Sequence, residues 1–491
     1  MSASKDKILR KQQIEAGTDK RSIAEEKERK ARRKSNITYT VVAVVLVVFF
    51  AFIFIYNSAW PSRHTTAVTI NGQDYTVAQL NYYYSNSYMT FYNNYYSYVS
   101  MGLFFDPGAS LKDQEYYDGM SWRDYFLQAA VDDMTQIQML NDEAAAAGFT
   151  LSDEDQAAYE SAVADMETGW EALGYSSLKQ YINLNYGKGV DEALIKQELY
   201  RTYIASAYSQ EVYEGFTYSV DELDSYYAEH ADELDTINYA YYIDYDGEVD
   251  TQAIADAVNG TDVDTFNAYL AENVDETASA TEQSLTGENL AEAYADWLLD
   301  GARQAGDATA VDADGTNYVL MFLSRDDNNY PLAGFRHILL MAHDEDGDGE
   351  YSDEEIAAAE TEANELYVQW LAGDATEDSF AEMANLYSED GGSNTTGGLY
   401  EDVYQGEMVE PINDWLFDAA RQAGDTTVVS YDGPNYTGTH VVYFTGAADM
   451  TYAQTMAENI MRNDAYTNWQ TEAMTGYEAV TSHLGMCGQN H

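Results

Sequence analysis

Hydrophobic positions along the chain change pattern several times. Residues 37–56, ITYTVVAVVLVVFFAFIFIY, are twenty uncharged and mostly apolar residues, the length of a helix crossing a roughly 30 Å hydrocarbon core. Residues 67–76, AVTINGQDYT, alternate around Asn71-Gly72 and predict a two-residue hairpin. From there to about residue 235, apolar residues recur at three- and four-residue steps, which predicts a helical domain over 67–235. Gly148 is placed to stop one helix, and Ser152 with Asp155 to open the next. Tyr84, Tyr88, Tyr92, Tyr95 and Tyr96 fall on one helix face. Such a stripe is either a packed aromatic core or a surface that accepts unfolded peptides.

Beyond residue 235 short strand patterns alternate with helical ones, and the chain repeats itself. Residues 296–307 read DWLLDGARQAGD and residues 414–425 read DWLFDAARQAGD. A strand follows each, TNYVLMF at 316–322 and GTHVVYF at 438–444. A strand and then a helix precede each, the strands being INYAYYI at 237–243 and FRHILLM at 335–341. The repeat predicts two α/β units, 236–327 and 333–446, with a helical tail over 447–491. Tyr318 in the first copy stands where His440 stands in the second. The fold class is therefore α+β.

Charge divides the chain sharply. Twelve of the 24 Lys and Arg lie within residues 5–34, whereas residues after 62 carry the other twelve against 79 acids, a net −67. Basic residues before an apolar helix put 1–36 in the cytoplasm, 37–56 across the membrane and the remainder outside, with Tyr56 and Trp60 at the interface. A cleavable signal peptide would have a shorter apolar core and a better cleavage site than NSAWPS. A lipoprotein would need a cysteine at the end of the segment, and the only cysteine is Cys487. An exterior this acidic excludes nucleic acid as a partner by charge and suits a cation-rich setting such as a Gram-positive-type surface.

Four stretches of the second copy carry the chemistry: FRHILL (335–340), FAEMANLYSEDGGSNTTGGLY (380–400), GEMVEPINDWLFDA (406–419) and GTHVVYF (438–444). In order, they form a His-Ile-Leu strand, a Phe-Ala helix, a Tyr-Ser-x-Asp turn, a Gly-Gly-Leu loop, a Gly-x-Met-Val segment and a Gly-x-His strand. This pattern resembles the parvulin family of peptidyl-prolyl cis/trans isomerases. The layout of anchor, helical domain and parvulin unit resembles the PrsA/SurA-type extracytoplasmic foldases, the helical part standing where a SurA-N-like chaperone domain would stand. The resemblance implies that His337, Asp390 and His440 form the catalytic network and that Leu399, Met408, Ile412 and Phe417 line the proline pocket. Ser388 would support the acidic turn. Ile412 departs from the family's usual phenylalanine, and an acidic insertion replaces the basic loop of phosphate-selective members. The implied partners are unfolded or newly translocated secreted proteins, and catalysis needs no cofactor. The first copy lacks both histidines and the Gly-Gly turn, which makes it a degenerate unit, a spacer or binding module. Considered alone, a histidine in an apolar strand is an ordinary core residue; the pair together with Asp390 argues otherwise.

Residues 344–355, DEDGDGEYSDEE, hold eight acids in twelve positions and fit D-x-[DN]-x-[DN]-G-x5-E. The resemblance here is to an EF-hand loop, with Asp344, Asp346, Asp348, Glu350, Ser352 and Glu355 as ligands to a structural Ca2+. It departs from that motif in having a strand on its entering side and Tyr351 at a usually aliphatic position. Ser352-x-x-Glu355 is also a capping box.

Overall fold

The computed structural model describes residues 2–482 except 19, 246, 314, 345, 346, 348 and 350. Two compact units divide the chain, one of residues 1–215 with 466–491 and one of 216–465.

In the first unit the apolar run lies within one helix, Lys20–Asn57. Its stretch Ile23–Asn57 is long and apolar enough to cross a membrane, and an 18-residue segment of it reaches a mean hydropathy of 2.8 with none of it buried. β1 (Thr66–Ile70) and β2 (Gln73–Thr76) form the hairpin. Asn71 and Gly72 sit at φ 47° and 78°, the left-handed pair that a tight hairpin turn requires. Thr76 then caps the helix Val77–Asn94 in a capping box with Gln79. β3 (Glu115–Tyr117) and β4 (Met120–Ser121) make a small ribbon before the helix Trp122–Ala147, which stops at Gly148 with φ 72°. Ser152 accepts from the Asp155 N–H to open the next helix, Asp153–Thr168. Leu80, Tyr83 and Tyr84 share one core with Phe126, Val131 and Met134.

The tyrosine face divides along its length. Tyr84 is buried and Tyr88 packs on Phe105 and Phe126, whereas Tyr95 and Tyr96 are 42% and 57% exposed. The C-terminal strand Ala479–Thr481 pairs with β1, and Tyr477 donates a 2.9 Å hydrogen bond to Asp142. Cys487 lies outside the described residues.

The second unit contains the repeat, and its two copies share one topology. In the first copy β5 (Thr236–Asp244), β6 (Thr281–Thr286), β7 (Ala308–Ala313) and β8 (Thr316–Asp326) form a sheet of order β6-β5-β8-β7. In the second, β9 (Pro331–Met341), β10 (Leu399–Val403), β11 (Thr426–Asp432) and β12 (Thr437–Thr451) are ordered β10-β9-β12-β11. Alternation of side chains gives this second sheet two buried faces. Ile338, Leu340 and Val441 face the helices Asp353–Ala372 and Glu377–Tyr387 through Ala363, Leu366, Phe380 and Ala384. Phe335, Val442 and Phe444 face the short helix Glu410–Leu416. The histidines lie on this second face.

Candidate active site

His337 pairs with Val442 across the ladder and His440 pairs with Leu339. The two histidines are thus diagonal neighbours on one face of the sheet, within reach of ring contact. Their Nδ1 atoms are 3.0 Å apart, and the rings are nearly parallel at 11° with centroids 5.2 Å apart. His337 Nε2 lies 2.9 Å from Asp390 Oδ2. Both histidines are buried, at 6% and 2% exposure.

The partners determine the proton positions. An ionised carboxylate only accepts, so His337 Nε2 carries a proton. When each ring holds one proton, His337 Nδ1 accepts from His440 Nδ1–H. His440 Nε2 is then an acceptor, and the Tyr436 hydroxyl 3.0 Å away donates to it. The chain runs Tyr436 → His440 → His337 → Asp390.

Asp390 is the terminus, and it is held by several donors. The His337 hydrogen bond, with those from Ser393 Oγ, the Gly392 N–H and Tyr400 OH, keeps its carboxyl well below the usual carboxylate range against the opposing effect of burial. Burial, with the neighbouring His337, pushes His440 down to about 3. Burial likewise raises Tyr400, whose hydroxyl also faces the Asp390 carboxylate, and pushes Tyr436 up to about 12. A ring titrating near 3 is a poor general base at neutral pH. His440 is therefore not placed to abstract a proton at neutral pH.

Backbone interactions place Asp390. The turn after the helix Glu377–Tyr387 runs along the part of β9 that β10 leaves uncovered. Ser388 Oγ accepts from Leu339 N–H at 3.1 Å and from Asp390 N–H at 3.3 Å. The Glu389 N–H donates to Leu339 O at 2.9 Å, and its carboxylate accepts from Met341 N–H at 2.6 Å. These bonds satisfy strand-edge groups that burial would otherwise leave unpaired. Ser388 thus holds Asp390 and the strand.

The Gly-Gly-Leu loop closes the same region. The Gly398 carbonyl accepts from His337 N–H at 2.9 Å. Its φ is +70°, and a Cβ there would lie 2.2 Å from the His337 carbonyl oxygen. Only glycine combines that backbone conformation with that approach.

Met408, Ile412 and Phe417 join one apolar cluster with Val429, Val442 and Phe444 on the histidine face. Ile412 is buried, while Met408 and Phe417 remain half-buried. Leu399 stands elsewhere. It pairs with Arg336, so alternation puts it on the opposite face from His337. Tyr400, paired with Phe335, takes the place on the site face and stacks on that ring. Tyr400, Ser393 and Tyr436 are the site residues that sequence reasoning missed.

Of the acidic loop, Asp346, Asp348 and Glu350 lie outside the described residues. Asp344 accepts from the Gly347 and Gly349 N–H groups at 2.6 and 2.9 Å. Ser352 and Glu355 form the capping box that opens the helix Asp353–Ala372. Among the described residues no group of three or more His, Cys, Asp or Glu is arranged to hold a metal.

Comparison with known proteins agrees with this geometry for part of the chain. Residues 337–446 match the rotamase family model, described as a PPIC-type PPIase domain. Among solved structures, PrsA from Bacillus subtilis is 11% identical, over 73% of this chain and 89% of that one, with a TM-score of 0.29. The foldase protein PrsA from Streptococcus pneumoniae is 10% identical, over 74% and 91%, with a TM-score of 0.26. No curated protein matches the sequence. The family match spans the strand of His337, the turn of Asp390 and the strand of His440, so the segment 337–446 that carries the network is similar to the PPIC-type, or parvulin, peptidyl-prolyl isomerase domain.

Proposed function

We propose that the chain is a membrane-anchored, extracytoplasmic foldase whose second α/β unit isomerises X–Pro bonds in unfolded or newly translocated proteins. The observation that carries this reading is the hydrogen-bonded Tyr436–His440–His337–Asp390 chain beside the Met408–Ile412–Phe417 cluster, inside the segment that matches the family.

The chemistry needs no nucleophile. Amide resonance sets a rotation barrier of about 18–20 kcal/mol. Twisting the bond removes that resonance and makes the amide less dipolar, so surroundings of low polarity favour the twisted form over the planar one. An apolar slot for the proline ring, beside a network whose dipoles are already oriented, supplies such surroundings. The anchor reading draws on the exposed apolar run 37–56 and the twelve bases before it.

A holding role for the helical domain draws on a second observation. Tyr95, Tyr98, Phe104 and Tyr116 form ring contacts around Phe91 and Trp122. With Met101, Leu103 and Tyr117 they leave an apolar surface of 38–75% exposure, of the kind that marks binding sites. Residues 344–355 are proposed as a structural Ca2+ loop outside the isomerisation chemistry.

The deciding experiment is a cis/trans isomerisation assay on an unphosphorylated X–Pro peptide with the full chain in detergent. Catalysis that Asp390→Ala lowers by about tenfold or more is the expected result. A folded protein with no rate above the uncatalysed one would leave a binding-only chaperone.

A further inference from the structure

The first α/β unit repeats the site face of the second with tyrosines. In the first sheet Tyr241 pairs with Leu320 and Tyr318 with Ile243. This is the diagonal relation of His337 with Val442 and His440 with Leu339. Val311 pairs with Tyr318 as Val429 pairs with His440. The short helices also correspond: the Arg303 guanidinium lies 4.7 Å over Trp297, and Arg421 lies 3.8 Å over Trp415. Counting back from the shared Asp-Trp pair puts Tyr294 at the position of Ile412. Register therefore makes Tyr241, Tyr318 and Tyr294 the counterparts of His337, His440 and Ile412.

These residues form one cluster. Tyr294 and Tyr318 have centroids 5.8 Å apart, and Tyr241 and Tyr318 are at 6.4 Å. The Tyr294 hydroxyl is 3.2 Å from that of Tyr239. Tyr239 is buried, whereas Tyr241, Tyr294 and Tyr318 are half-buried and present part of their rings outward. Residues 236–327 hold 20 acids and two bases. Both bases are already engaged by acids, Arg303 by Asp300 and Arg325 by Asp232 and Asp235.

We propose that this tyrosine cluster is a second, non-catalytic binding site, for an extended proline-containing segment with basic flanks. The inference rests on the reading of the second unit as an X–Pro site. Tyrosine faces receive pyrrolidine rings, and extended proline-rich chain docks in aromatic-lined grooves at low entropic cost. The surplus of acids supplies the charge complementarity that selects lysine and arginine around the proline. Without the histidine pair the cluster holds the segment and does not turn it over. Two proline-reading sites on one chain let the first retain a client while the second isomerises it.

Photo-crosslinking tests this on the full chain in detergent. The probe is a short synthetic peptide with lysines flanking one central proline and benzoyl-phenylalanine beside it. Adducts are expected in 236–327 as well as in 333–446. Those in 236–327 should vanish when the proline is replaced by alanine and weaken about tenfold, near 1.4 kcal/mol, when the lysines become glutamates. Tyr318→Ser should remove them while isomerisation of a short X–Pro peptide stays unchanged. Should Tyr318→Ser melt early, Tyr241→Leu tests the same face with apolar contact retained. Adducts in 236–327 that ignore the proline, or none at all, would overturn the proposal. Proline-dependent adducts there without isomerisation would instead sink the catalytic reading and leave this one standing.

Discussion

The Nδ1 atoms of His337 and His440 face each other at 3.0 Å, a gap that holds one proton. Which ring owns it depends on groups at the far ends, Asp390 on one side and Tyr436 on the other. Removing either end therefore tests whether the pair works as a unit. Asp390→Asn keeps an acceptor for His337 Nε2–H and removes the charge, whereas Asp390→Ala removes both. If charge matters, both substitutions should lower the X–Pro isomerisation rate by about tenfold or more, near 1.4 kcal/mol. Full activity in the Asn variant would show that a hydrogen bond suffices.

Tyr436→Phe acts at the other end. It leaves His440 Nε2 buried without its donor, which costs about 1–3 kcal/mol. Urea unfolding should show that loss. Isomerisation should fall severalfold at a temperature where the variant remains folded, because His440 is then free to change tautomer. An unchanged rate would confine Tyr436 to a structural role.

The burial of His440 has a pH signature. Its folded pKa is pushed down to about 3 from the ordinary 6.5. Below 6.5 the unfolded chain takes up a proton that the folded chain refuses. The stability contribution is complete above 6.5 and is lost as the pH falls from there towards 3, at up to about 1.4 kcal/mol per pH unit. Asp390 adds a loss of the same sign only below its ordinary 3.8, because its folded pKa is also depressed. Melting followed from pH 7 to pH 4 should show the His440 slope, and His440→Asn should flatten it. Equal slopes in the two proteins would mean that His440 is not held neutral.

Much of this site is legible in the primary structure, and the limits have physical causes. His337, Asp390 and His440 stand in stretches whose order is distinctive, and histidine is scarce at seven residues. Tyr400 and Tyr436 are two of 44 tyrosines, and only ladder register or a turn brings them to the network. Leu399 shows the same limit in reverse. A one-residue step along β10 separates it from Tyr400 and sends the two side chains to opposite faces. In the first copy the strand pattern alone does not say whether Tyr239 or Tyr241 answers to His337; the pairing of Tyr241 with Leu320 does. The hairpin at Asn71-Gly72 and the helix stop at Gly148 were readable because each depends on a backbone conformation that few residues adopt.

Gly398 offers a test of close approach. Its φ of +70° and the 2.2 Å that would separate an added Cβ from the His337 carbonyl oxygen both oppose a side chain. Gly398→Ala should cost more than the ~1 kcal/mol of an ordinary left-handed substitution, because the His337 backbone must also move. Activity should fall with stability, since that strand carries the imidazole. The neighbouring Gly391→Ala, which has open space and an ordinary φ, should be nearly silent in both measurements.

The acidic loop separates two readings by its response to calcium. The capping box of Ser352 and Glu355 stabilises the helix start in any buffer, and Ser352→Ala should cost about 1 kcal/mol in chelator. A Ca2+ site adds a second, conditional contribution. Extracellular calcium modules bind at about 10⁻⁴–10⁻³ M. At millimolar calcium, a dissociation constant near 10⁻⁴ M stabilises by roughly 1.4 kcal/mol. Melting in millimolar Ca2+ should therefore exceed melting in chelator by a few degrees. Asp348→Ala should abolish that difference and leave the chelator value unchanged. Isomerisation at a temperature where both forms are folded should be the same, since the proline site draws on the opposite face of the sheet from the helix that the loop precedes. Identical melting in the two buffers would reduce residues 344–355 to a capping box with an acidic approach.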